Sequence, residues 1–155
     1  MTGHSHNHAY QYCLQLLAQR EYSQLELRQK LGQQAFEAQT IDECLTQLIK
    51  DNYQSDQRFA EIFCRKRINQ RHGRKKIQYE LKQKGIDDSL STSVLAEYEQ
   101  VWVENAKYLI ERKAPRGDSI YSDYAIKSKI IRFLLGKGYD YDTINLAFEC
   151  LQTDE

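Results

Sequence analysis

Between residues 55 and 86, ten lysines and arginines stand against three acids, Asp56, Glu61 and Glu80, an excess of +7 in a chain whose formal net charge is zero. Residues 1–54 hold four cations against six acids, and residues 87–155 hold eight against thirteen, so a basic middle lies between acidic flanks. The chemistry this supports is electrostatic capture. Several fixed cations draw in a polyanion or an acidic protein surface through a field screened over about 8 Å at physiological salt. The charges have helical order: Arg58, Arg65 and Asn69 share one face, and Arg67, Arg71 and Arg74 follow another. Lys66, Lys75, Lys76 and Lys82 complete the candidate binding set. The bland alternative is a solvated surface paired to Glu61 and Glu80; the size of the excess favours binding. Tyr79, among these charges, either stacks on a base or packs on a neighbouring helix, and packing is the preferred reading.

Catalysis finds no comparable signal. The chain has no GxGxxG, Walker, HExxH or GxSxG pattern, so it is expected not to be an enzyme and to need no cofactor. Asp87 and Asp88 are adjacent and point to different faces of a helix, which suits helix capping better than acid and base work. His4, His6 and His8 alternate in a polar start that could hold a transition metal loosely, but nothing nearby orients such ligands. Residues 1–9 therefore read as a flexible segment without a metal site. Cys13, Cys44, Cys64 and Cys150 are scattered without a CxxC pair and fall on apolar helical patterns, as buried free thiols do.

The elements that must carry the cations repeat. Leu27 and Leu31, Ile77 and Leu81, and Ile130 and Leu134 are i, i+4 apolar pairs set 50 and 53 residues apart. Four residues beyond each comes a small residue, Ala35, Gly85 or Gly138, followed by Phe36, Ile86 or Tyr139. One Pro, seven Gly and 28% charged residues favour helix. The fold class predicted is all-α, with three tandem three-helix repeats over 10–53, 54–99 and 100–155. One such unit is too small to bury its apolar face alone, so the units stack into an elongated, curved array that suits a large partner. Helix starts are expected at Ser23 with Glu26 and at Thr40 with Glu43, both S/T-x-x-E capping boxes, and at Ser55 or Asp56. Phe59, Ile62 and Phe63 are expected on the buried stripe of the fourth helix. Tyr98, Tyr108 and Tyr139 are expected to bury their rings. Gly85 is placed to end a helix in the left-handed conformation. The tract Ala114 to Asp118, which holds the lone Pro115, is the expected mobile loop. With no apolar run of roughly 18 residues and a polar start, the chain is expected to be cytoplasmic and away from membranes.

These residues resemble the bacterial RecX regulatory proteins. The central match is Ser55-Asp56-Gln57-Arg58-Phe59-Ala60, then Arg65, Arg67 and Gly73, then Ile77, Glu80, Leu81, Lys82, Lys84, Gly85 and Ile86. Tyr22-Ser23 with Glu26-Leu27-Arg28, and Lys127, Lys129, Arg132-Phe133-Leu134-Leu135 with Gly138-Tyr139, resemble the flanking repeats. Arg74 stands where many members have a proline; a cation is disfavoured at a helix N-terminus unless it faces an anion. The resemblance implies a monomer that lodges in the groove of a RecA filament on single-stranded DNA. There it would lower ATPase, strand-exchange and coprotease activities, in DNA repair, recombination and the SOS response. The other reading is a module that binds single-stranded nucleic acid directly.

Overall fold

In a computed structural model, the structure describes residues 2–114 and 123–153, which form nine α-helices and no strand. They are α1 (Thr2–Gln19), α2 (Gln24–Gln33), α3 (Ala38–Lys50), α4 (Asp56–Asn69), α5 (Arg74–Gln83), α6 (Asp88–Ala96), α7 (Glu99–Lys113), α8 (Tyr124–Gly136) and α9 (Tyr141–Thr153). The all-α repeat fold is thus as the sequence predicts. Ala114 ends α7, and the rest of the expected loop around Pro115 lies outside the described residues. The chain divides into two compact units: residues 1–63 with 81–91, and residues 64–80 with 92–155.

In the first unit α1 and α2 pack on α3 around Ala9, Cys13, Leu27, Leu31, Cys44, Leu45 and Leu48. Full burial of each Leu stabilises by roughly 1.5–3 kcal/mol. Ser23 caps α2 as expected: its Oγ accepts from the Glu26 amide at 3.2 Å, and the Glu26 carboxylate accepts from the Ser23 amide at 3.0 Å. Two starts differ from expectation. α3 begins at Ala38, directly after the turn at Ala35 and an extended Glu37 (φ −70°, ψ 152°), so Thr40 is buried inside its first turn instead of capping it. Residues 2–9 continue α1 instead of forming a separate segment. Ala9 and Cys13, four apart and fully buried, anchor that helix, and each further residue then adds one backbone bond to a nucleus already formed.

That turn is the repeated device. The Phe36 amide donates to the Leu31 carbonyl at 3.2 Å and the Ala35 amide to Gly32 at 3.0 Å, with Ala35 left-handed at φ 63°. The same pair of bonds joins Ile86 to Leu81 and Gly85 to Lys82, with Gly85 at φ 82°. This is the Schellman closure, in which the residue two past the helix covers its last open carbonyls. Gly85 is doubly required, since a Cβ there would lie 2.7 Å from the Leu25 Cβ. Asp87 then caps α6, accepting from the Leu90 amide at 2.8 Å. Ser55 caps α4 through the Arg58 amide at 3.2 Å, while Asp56 accepts from the Gln24 amide at 2.9 Å. Ile62, expected on the buried stripe, is 46% exposed; the stripe runs through Phe59, Ala60, Cys64 and Ile68.

In the second unit α7, α8 and α9 pack mutually around Ala106, Ile110, Ile130, Leu134, Ile144 and Phe148. The third closure joins Tyr139 to Leu134 at 3.1 Å and Gly138 to Leu135 at 3.1 Å, with Gly138 at φ 101°. Asp140 caps α9 through the Thr143 amide at 2.8 Å. Cys13, Cys44 and Cys64 are buried free thiols, as expected, and Cys150 is half-buried.

Candidate polyanion-binding site

The candidate cations of the second unit lie on α4, α5 and the turn between them, and that turn is built onto the end of α8. The Gly73 amide donates to the Lys137 carbonyl at 2.7 Å and the Lys75 amide to Gly138 at 3.0 Å. The open amides of one helix thus satisfy the open carbonyls of another, positive end to negative end. Only glycine fits at residue 73, because a Cβ would lie 2.3 Å from the Gly138 carbonyl carbon.

Arg71 is left-handed at φ 67° and carries the turn's main restraints. Its guanidinium donates to Asn105 Oδ1 at 2.8 Å and lies 3.9 Å from the Tyr108 ring centre, and its carbonyl accepts from the Tyr139 hydroxyl at 2.9 Å. Asn105, 5% exposed, donates in turn to the Ile68 carbonyl at 3.2 Å. Arg67 pairs with Glu80 at 2.7 Å. Arg74 pairs with Asp140 at 3.2 Å and reaches Gln78 at 3.4 Å. The anion that makes a cation tolerable at the start of α5 is therefore within the chain. In the first unit Arg58 is likewise engaged, by Glu21 at 2.8 Å and by the carbonyls of Asn52 and Tyr53.

The remainder face outward. Arg65, Lys66 and Lys75 in the second unit and Lys82 in the first are exposed and form no ion pair among the described residues, and Lys76 is half-buried. The structure adds two residues that sequence reasoning missed. Burial, then the charges of Lys76, Lys137 and Arg67, hold the His72 imidazole below its ordinary pKa against the opposing pull of Glu80. His72 Nδ1 is buried without a hydrogen-bond partner. Arg67, Lys76 and Lys137 thus each disfavour a proton on this imidazole. Lys137 stands 61 residues beyond Lys76 in the chain, and the one available signal was its place just before Gly138 in the repeat.

One tyrosine expectation changes: Tyr108 is 41% exposed, covered on one face by Arg71. Tyr79 is 63% exposed, and Tyr139, at 2%, is buried as expected. No group of three or more metal-ligating side chains occurs among the described residues.

Residues 9–48, 55–95 and 99–148 match the first, second and third three-helix domains of RecX. The chain belongs to the RecX family. It is 41% identical over 141 residues to the regulatory protein RecX of Legionella pneumophila, covering 91% of this chain and 93% of that one. It is 36% identical over 135 residues to that of Haemophilus influenzae strain PittEE, covering 86% and 88%. The crystal structure of RecX from Lactobacillus salivarius superposes with a TM-score of 0.89 at 28% identity, covering 97% of this chain and 99% of that one. These RecX relatives are named as regulatory proteins, and none of the described helices here is long and apolar enough to cross a membrane.

Proposed function

We propose that this RecX family member is a cytoplasmic, monomeric regulator that binds RecA filaments on single-stranded DNA and lowers their ATPase, strand-exchange and coprotease activities. The observation that carries the reading is the exposed, unpaired set Arg65, Lys66 and Lys75 in the second unit of a chain of this family. Ammonium groups without internal partners remain available to phosphate or to an acidic filament surface, and releasing condensed counterions would drive their docking. Repeats that touch several protomers at once would add avidity beyond any single contact. Titrating the protein into RecA on single-stranded DNA is expected to reduce ATP hydrolysis in proportion to the filament bound; unchanged hydrolysis at every ratio overturns the reading.

The same exposed cations favour a second reading, direct binding of single-stranded nucleic acid. It requires binding to bare DNA with a log–log salt slope of about −0.7 per phosphate contact. Absence of that binding, with RecA inhibition intact, rejects it.

A further inference from the structure

The second unit also carries a concavity of opposite sign. A cleft of about 420 Å³ lies among α5, α6, α7 and α9, a volume in the ordinary range for binding clefts. Its floor is apolar: Trp102 is 5% exposed and Leu95 is fully packed, and at the rim Leu146 is 47% exposed, a large aliphatic side chain left in water. The charges in the lining are Arg74, Asp140, Glu99 and Asp142. Arg74 is already neutralised by Asp140, whose carboxyl also caps α9 through Thr143. Although burial opposes it, the Thr143 bonds and Arg74 keep Asp140 below the ordinary carboxylate range. Glu99 and Asp142 are exposed and form no ion pair among the described residues; each lies in the first turn of its helix, where the dipole offsets only part of its charge, so with Arg74 taken by Asp140 the rim stays net negative. The Trp102 indole N–H is sealed in without an acceptor.

We propose that this cleft docks a segment of a partner protein that presents an aliphatic side chain next to a lysine or arginine. The sign of the rim excludes the polyanion assigned to the cation cluster and selects a cationic occupant. The apolar floor and the exposed Leu146 select an aliphatic anchor beside that cation, since neither gains from a purely polar ligand. A polypeptide also brings backbone carbonyls, the acceptor that the Trp102 N–H lacks, once the rim side chains shift to admit it. Positive partner, apolar anchor and acceptor are together the description of a basic, leucine-bearing peptide.

Trp102 is the only tryptophan of the chain, so its emission reports occupancy of the cleft. The experiment titrates the full-length protein with a short amidated peptide of alternating lysine and leucine, and in parallel with its glutamate–leucine counterpart. A saturable change in Trp102 emission is expected with the cationic peptide alone. Its affinity is expected to fall at least about tenfold in a Glu99→Lys, Asp142→Lys double variant and again in Leu146→Asp. These three side chains are exposed, and retained helical circular dichroism verifies each variant; the Glu99→Gln, Asp142→Asn pair replaces any that loses it. No saturable change, an equal response to both peptides, or affinity undiminished by the variants overturns the proposal. So does concentration-dependent self-association abolished by Leu146→Asp, which would make a second copy of the chain the occupant. None of these readouts involves RecA or DNA, so the proposal stands or falls apart from the proposed function.

Discussion

Arg71 and Lys75 carry the same charge four residues apart, yet the structure commits them to different ends. Arg71 sits in the turn between α4 and α5 with its guanidinium hydrogen-bonded, stacked on a ring and held by a left-handed backbone. Lys75 gives its backbone amide to Gly138 and leaves its ammonium in water. Arginines with Asp, Glu or Asn partners hold the second unit's turn together, while Arg65, Lys66 and Lys75 stay exposed without an ion pair among the described residues. The difference follows from chemistry: a planar guanidinium satisfies several acceptors in a fixed geometry, whereas an ammonium on a flexible stem is strongly hydrated and stays out. A count of +7 over residues 55–86 overstates the charge available for binding.

The largest effect expected is at the joint on which both groups depend. Gly73→Ala places a methyl group 2.3 Å from the Gly138 backbone and should destabilise the second unit by at least about 3 kcal/mol, at the high end for single substitutions, read by urea unfolding. Next, Arg71→Ala should cost about 2–3 kcal/mol for a charged hydrogen bond to a buried amide, with Arg71→Lys a poor rescue. Lys75→Ala should stay within about 0.5 kcal/mol in the same melt. If Lys75→Ala destabilises as much as Arg71→Ala, the division between the two groups is gone.

Binding should show the reverse. Reversing Arg65, Lys66 and Lys75 to Glu is expected to abolish inhibition of RecA ATPase while leaving unfolding midpoints almost unchanged. If bare single-stranded DNA is bound, losing those three contacts should flatten its salt slope by about 2. In the first unit, Arg20 at 3.3 Å and Lys84 at 3.2 Å close on the Glu26 carboxylate. Burial opposes ionisation there, but Arg20, the Ser23 amide and Lys84 hold Glu26 below its ordinary pKa. Glu26→Ala should cost about 1 kcal/mol through the lost cap and, by freeing two cations, increase non-specific polyanion binding.

The smallest effect expected is a pH dependence. His72 binds its proton less readily folded than unfolded, so between its depressed folded pKa and its ordinary value of 6.5 the unfolded chain holds more protons. Stability should rise with pH through that window and fall as pH drops below 6.5. Urea melts at pH 7.5 and 5.5 should show the difference, and His72→Gln should remove it.

Much of the fold was legible because its signals are local. The pairs Leu31 and Phe36, Leu81 and Ile86, and Leu134 and Tyr139 lie five residues apart, so spacing alone marks each closure, and the Ser23–Glu26 box needs only its own four residues. Thr40 shows where local reading fails: its sequence fits a cap as well as Ser23 does, but after the Ala35 turn α3 starts three residues earlier, with Glu37 at the cap position. Ile62 and Tyr108 fit apolar helical patterns, yet each is more than two-fifths exposed, since a pattern gives a face without saying how far the neighbouring helix covers it.

The sequence by itself determined the helical repeat, the left-handed positions 85 and 138, and the concentration of positive charge in the middle of the chain. These depend on residues within about two turns of one another, where backbone preference and periodicity suffice. Only the tertiary structure decided which cations are occupied. Arg71 meets Asn105 across 34 residues, Arg74 meets Asp140 across 66, and the charge of Lys137 acts with those of Lys76 and Arg67 on His72. A charge is neutralised by whatever packing brings within a few ångströms, and contacts of that range are fixed by how helices pack, which no local pattern records.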